Sequence, residues 1–292
     1  MSWPVPDKAL PPGVYFVGVP IGTARDITLR ALDVLAGADV LAAEDTRSLR
    51  RLMEIHGVAL AGRRIQTLHD HSGPGMQAKL LEAVAAGKSV AYASEAGMPL
   101  IADPGFELSR AAAKVGATVT CAPGPSAVLT ALALGGLPTD AFHFAGFLPN
   151  SKGARRKALS ELAEVQATLV LFESPKRLGA SLADAAAMLG DQRQGAVCRE
   201  LTKKFEEVLR GTLAELAARV AEKPVKGEVV VLIDRAASMP VNEALVDEML
   251  EQALKSMSVK DAAAHVAAAT GKKKREIYQR AISFSAEIEQ KD

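Results

Sequence analysis

Cysteine is almost missing from this chain. Its two cysteines, Cys121 and Cys198, each lie in an apolar strand-like run and at no paired or metal-type spacing. That excludes a disulfide scaffold and a thiolate metal site, and it predicts buried thiols in a reducing cytoplasm. There is no HExxH and no other metal-ligand pattern, so no metal site is expected. No uninterrupted apolar run is as long as a membrane span, and residues 1–13 (MSWPVPDKALPPG) have neither a basic n-region nor an apolar h-region, so a cytoplasmic protein without membrane contact is expected. Charge of one sign is lacking as well. The net charge of +1 gives no global pull toward nucleic acid, and any basic surface must be local. The chain also has neither a GxGxxG fingerprint nor a Walker lysine.

What is present is an ordinary globular composition, 49% hydrophobic and 24% charged, in 292 residues, more than one domain usually holds. From Gly13 to Cys121, strand-like runs (VYFVG, DVLAA, RIQTL, SVAYA, ATVTC) alternate with helical spacing, the signature of a largely parallel sheet with crossover helices. Gly37, Gly57, Gly87 and Gly116 fall where helices should stop. A second alternation follows PGPSA, with strands at FHFAG, ATLVLF, GAVCRE, FEEVLRG and GEVVVLID. The fold class expected is α/β, with two α/β domains and a helical tail. The boundaries are 1–12 for an N-terminal tail, 13–122 and 123–236 for the two domains, and 237–292 for the tail. In that tail, from Lys255 to Arg280, seven Lys or Arg stand against two Asp or Glu. Two short helices joined through Thr270-Gly271 would give it a helix-turn-helix outline.

The loops after the strands carry the chemistry, because open α/β sheets bind ligands at strand carboxyl ends. Residues 19–28 (VPIGTARDIT) offer Pro20 and Gly22 in a turn into a helix that can receive an anion. Residues 42–47 (AAEDTR) place Glu44, Asp45 and Arg47 at a strand end, where Asp45 or Thr46 would also serve as a helix cap. In LHDHS, a period of two would turn His69 and His71 one way and Asp70 the other. The loop YASEAGMPLIADPG is long and stiff. Asp103 would cap a helix opened by Pro104, yet Ser94, Glu95, Ala96, Gly97 and Pro99 exceed what a cap needs and point to ligand binding. FESPKR and RELTKKFEE deliver further charges after apolar strands, with exposed pairs such as Glu173 and Lys176 as the plain alternative to function.

PIGTARDIT, AAEDTR, LHDH, SEAGMPLIADPG, PGPSA, GFLP, FESPKR, RELTK and KGEVVVLI occur in this order from Pro20 to Ile233. Together they resemble the tetrapyrrole methylase superfamily of S-adenosylmethionine-dependent methyltransferases. Within it the likeness is strongest to the branch that methylates a ribose 2′-oxygen of a decoding-region cytidine in small-subunit (16S) ribosomal RNA. The resemblance implies a methyl donor held in a cleft between two α/β domains, usually in a homodimer. It makes Pro123, Gly124, Ser126 and Ala127 of PGPSA, and Gly227, Glu228 and Val229 of KGEVVV, donor-side residues beside those of the loops above.

Where the family commonly reads SDAGTPLINDPG and PIGNLxDIT, this chain has Glu95, Met98 and Ala102, and Thr23 and Ala24. A 2′-hydroxyl is a poor acid and needs a base, and Glu44, Asp45 and His69 are the candidates, with Lys203 a further one if desolvation lowers its pKa. RNA contacts are expected from Lys152, Arg155 and Arg156, from Arg177, Arg199 and Lys203, and from Lys272, Lys273, Lys274 and Arg275, with the assembled small subunit as the substrate. Two rivals remain: a methyltransferase of the same fold acting on a tetrapyrrole or a protein, whose usual GxGPGD-like loop is absent here, and a noncatalytic RNA-binding assembly factor.

Overall fold

A computed structural model describes residues 2–6, 8–69, 74–102, 105–236, 243–270 and 272–289. The first half alternates as the sequence predicts: β1 (Gly13–Val17), α1 (Leu29–Gly37), β2 (Val40–Ala43), α2 (Thr46–Ile55), β3 (Ile65–Thr67), α3 (Pro74–Ala85), β4 (Ser89–Ala93), α4 (Phe106–Lys114) and β5 (Val119–Ala122). All the pairings are parallel, in the order β3-β2-β4-β1-β5. Every residue of β1 and β4 is buried, as central strands covered by helices on both faces must be. One face packs Tyr15, Val17 and Ala91 against Leu32, Leu35 and Met53, and the other packs Phe16 and Tyr92 against Leu80 and Leu108.

The chain runs outward from β1 through β2 to β3, returns for β4, and crosses to β5 on the other side of β1. The strand order therefore reverses at β1, and the crevice at such a point is where this kind of sheet takes a ligand. Gly57, Gly87 and Gly116 adopt positive φ after their helices, at 69°, 83° and 69°. Gly37 does not. It is the last residue of α1, the helix ends at Ala38 in extended conformation, and Pro6 and Leu10 lie at ordinary van der Waals distance from where a side chain on Gly37 would stand.

The second half contributes α5 (Ala127–Gly135), β6 (Phe142–Phe147), α6 (Lys152–Glu161), β7 (Thr168–Glu173), α7 (Leu178–Leu189), β8 (Gln194–Arg199), β9 (Glu207–Thr212), α8 (Leu213–Glu222) and β10 (Val229–Ile233). Its sheet, β6-β7-β10-β8-β9, is mixed, with only β6 and β7 parallel. Helix α5 is apolar nearly all round and packs on β8 and β10 so closely that a side chain at Gly135 would collide with Leu232.

Residues 1–236 form one compact unit and residues 237–292 a second. The second unit is α9 (Glu243–Leu254), α10 (Val259–Thr270) and α11 (Lys274–Glu289), three helices around Val246, Leu250, Ala262, Val266, Ile277 and Ala281. Asp70, His71, Asp103, Pro104 and Gly271 lie outside the described residues. Helix α4 itself opens at Phe106, after Gly105 at φ 113°.

Candidate active site

Loops from both halves of the first unit enclose a cleft of about 690 Å³, within the usual range for a small-molecule site. Pro20, Ile21 and Gly22, just after β1, form part of its wall. Ile21 also buries its side chain in the second half's core beside Val128, Leu132, Leu201 and Val230, which ties the two halves together. The loop after β4 is clamped to this one by reciprocal backbone bonds. The Val19 N–H donates to the Gly97 carbonyl at 2.9 Å, and the Gly97 N–H donates to the Val19 carbonyl at 3.1 Å. Gly97 sits at φ 73°, and a Cβ there would come within 3.2 Å of Ile21, so the close approach and the backbone angle both require glycine. Ser94, buried behind the loop, donates to the carbonyls of Ala96 and Gly97 at 3.3 and 3.4 Å. Leu100 and Ala102 also hold positive φ, 73° and 58°, a strained stretch of the kind that collects at ligand sites.

The opposite wall is stiffened by charges. Glu200 accepts from the Glu228 N–H at 3.0 Å, and the Lys203 ammonium bridges Glu200 at 3.1 Å and Glu228 at 2.9 Å. Burial pulls the Lys203 pKa down, but its bonds to Glu228 and Glu200 outweigh that and hold it above the ordinary lysine range. Lys203 is thus not the desolvated base considered from sequence. Cys198 lies buried in the cleft wall, where burial pushes its thiol up to about 11, too high for a thiolate nucleophile at neutral pH. Phe172 and Phe147, edge to face at 5.6 Å between centroids, give the cleft an aromatic side. Glu173 beside them is buried and accepts from Arg177 at 3.0 Å, from the Ser174 N–H at 2.8 Å and from the Ser181 hydroxyl.

The family model for Tetrapyrrole (Corrin/Porphyrin) Methylases matches residues 13–217, and one for the RsmI C-terminal HTH domain matches residues 240–284. The chain belongs to the tetrapyrrole methylase family. Two curated relatives, both Ribosomal RNA small subunit methyltransferase I, are similar along nearly their whole length. The one from Mesorhizobium japonicum is 44% identical over 96% of this chain and 95% of its own, and the one from Vibrio cholerae is 40% identical over 94% and 96%. Among solved structures, diphthine synthase superposes with a TM-score of 0.56 at 18% identity, covering 80% of this chain and 94% of that one. Uroporphyrin-III C-methyl transferase from Thermus thermophilus, complexed with S-adenosyl homocysteine, gives 0.52 at 22%, covering 76% and 97%. At that identity these two solved structures support the fold alone.

Against this tetrapyrrole methylase frame, the structure brings most of the expected donor residues together. Pro20, Gly22, Glu95, Ala96, Gly97, Ser126, Ala127, Gly227, Glu228 and Val229 all line the cleft. Ser94 instead lines an adjoining groove, and Pro99 and Pro123 line neither space. Gly124 packs its backbone against Gly18 and donates its N–H to the Met98 sulfur at 3.2 Å. The sequence reading missed Ile21, Met98, Phe147, Phe172 and Glu173 as cleft residues. FESPKR and GFLP were visible as strand-end motifs, but no periodicity says which of their side chains turn inward. None of Glu44, Asp45 and His69 lines the cleft. Glu44 accepts from the Glu95 N–H at 3.2 Å, and His69 is exposed beyond β3, the sheet edge. Asp45 caps α2, and the N–H groups of Arg47 and Ser48 hold its carboxyl below the ordinary aspartate range.

Several expected RNA contacts need correction. Arg155 is buried and donates to Asp184 at 2.8 Å, and Arg156, half-exposed, donates to the other oxygen of that carboxylate at 2.7 Å. The Arg177 guanidinium is held by Glu173, the Leu148 carbonyl and Asn150, so the pair expected between Glu173 and Lys176 is a buried one with Arg177. Arg199 bonds Glu207 and the carbonyls of Lys226 and Phe205, and Lys203 is held as above. Buried or multiply bonded cations are structural, and none of Arg155, Arg177, Arg199 and Lys203 presents a free charge to a phosphate. Lys152, Lys273, Lys274 and Arg275 are exposed, and Lys272 is half-buried.

Proposed function

We propose that this protein, an S-adenosylmethionine-dependent ribosomal RNA methyltransferase, places the methyl group on the ribose 2′-oxygen of a cytidine in the decoding region of 16S ribosomal RNA. Its substrate is the assembled small subunit, its compartment the cytoplasm and its working form a homodimer. Exposed Phe106, Leu129, Phe142 and Phe205 are among the apolar side chains that pairing could cover. The observation that carries the reading is the cleft. It is bounded jointly by the loops after β1 and β4, the start of α5 and the entry to β10, on a chain alike over nearly its full length to ribosomal RNA methyltransferases. The segments 13–122 and 123–236 serve as its two halves, and residues 237–292 hold RNA.

S-adenosylmethionine supplies an electrophilic methyl group. The cleft fits it in size, in its mix of apolar and charged lining, and in a backbone brought to the surface at Gly97. The remaining task is alignment, and well-oriented reactants gain effective molarities of about 10⁵ to 10⁸ M. A base must still take the hydroxyl proton. Asp45 is engaged as a cap, Lys203 is held charged and His69 is exposed at the sheet edge, so we assign the role to Glu44, which stands just outside the cleft lining and accepts from the N–H of Glu95, a lining residue. The test is tritium transfer from labelled donor to small subunits from a strain lacking the protein, followed by nuclease mapping. Label on a ribose is the expected result. Donor binding without label on RNA would favour a tetrapyrrole or protein acceptor, and RNA binding without donor binding a noncatalytic assembly factor.

A further inference from the structure

Beside the donor cleft lies a second groove of about 430 Å³, which shares Pro20, Gly22, Ser48 and Glu95 with it. One wall is helix α2. Residues three or four apart share a helix face, and Arg47, Arg51 and Ile55 follow each other by four along this wall, with Ser48 at the junction of the two spaces. Both guanidiniums are exposed. Among the described residues Arg51 reaches only Glu54, at 3.6 Å and with both side chains more than half in solvent, a pairing that contributes little. Among the described residues the Arg47 guanidinium has no hydrogen-bonding or ion-pair partner, in contrast to the occupied arginines of the second half.

We infer that this groove is the acceptor subsite, in which Arg47 and Arg51 bind phosphates of the RNA strand beside the ribose to be methylated. The inference rests on the ribosomal RNA reading of the same site. Cations one helical turn apart suit one continuous polyanion. The groove opens directly into the donor cleft, so a strand lying along α2 delivers a ribose at Ser48, where the two spaces join. These arginines position the acceptor and take no part in the proton transfer.

The experiment compares Arg47→Gln, Arg51→Gln and the double variant with wild type, using small subunits from a strain lacking the protein. Arg50→Gln, exposed on the same helix but outside the groove, is the control. Losing a charged hydrogen bond to phosphate should raise KM for the subunit about tenfold in each single variant. The salt dependence of KM should become shallower by about one unit per arginine. Donor affinity by calorimetry and kcat should hold, and Arg50→Gln should match wild type. An unchanged KM overturns the inference while leaving the methyltransferase reading intact. Weakened donor binding also overturns it, because the cations would then serve the donor's own carboxylate. If the wild type methylates no ribosomal RNA, the functional reading fails and takes this one with it.

Discussion

Arg155 and Arg156 are neighbours in sequence and opposites in structure. The Arg155 side chain is 7% exposed and the Arg156 side chain 42%, yet both bind Asp184. Breaking a buried pair costs about 3–5 kcal/mol, and since Arg156 stays on Asp184, Arg155→Ala should fall near the low end. Arg156→Ala, screened by water, should cost less than about 1 kcal/mol. Urea midpoints of the two variants check this, and equal midpoints would sink the distinction. Asp184 itself sets an acid limit. Burial pushes its carboxyl up, but the hydrogen bonds and charges of Arg156 and Arg155 prevail and keep it below the ordinary aspartate range. A depressed carboxylate stabilises the fold above its unfolded pKa and loses that contribution as pH falls through the folded one, so the loss should appear below about pH 4. Asp184→Asn should flatten that acid limb of the stability curve. None of this was legible in NSKGARRKA, because the carboxylate that claims Arg155 lies 29 residues further on, in another helix.

Helix α2 shows how a capping residue can look catalytic. Asp45 lies at the carboxyl end of β2 and also accepts from the N–H groups of Arg47 at 2.7 Å and Ser48 at 3.3 Å. Asparagine caps as well as aspartate, while alanine forfeits about 1 kcal/mol. We expect Asp45→Asn to keep both melting temperature and methyl transfer, and Asp45→Ala to lose stability alone. A large fall in kcat for Asp45→Asn with an unchanged melt would return Asp45 to the role of base. The strands themselves were legible because short β-branched apolar runs bounded by glycine have few other ways to bury themselves. The antiparallel insertion of β10 between β7 and β8 was not, since strand order depends on long-range pairing that local pattern does not encode.

At the scale of the molecule, every described residue that lines the cleft falls between Pro20 and Val230, inside the unit that ends at residue 236. The three helices beyond it have their own core and carry the basic run Lys272 to Arg275. Even there some cations are spoken for. Arg280 is bound by Asp247 at 2.5 and 2.8 Å, so the local excess of positive charge read from sequence overstates what RNA can use. Removing residues 237–292 should therefore leave donor affinity unchanged by calorimetry. KM for the small subunit should rise by an order of magnitude or more, as lost phosphate contacts weaken binding without touching the chemistry. Replacing Lys273, Lys274 and Arg275 together by Gln in the full chain should reproduce most of that rise, because the helices and their core remain. Full activity of the truncated chain on subunits would mean that the first unit holds its RNA alone. Loss of donor binding on truncation would mean that the first unit depends on the second for its fold.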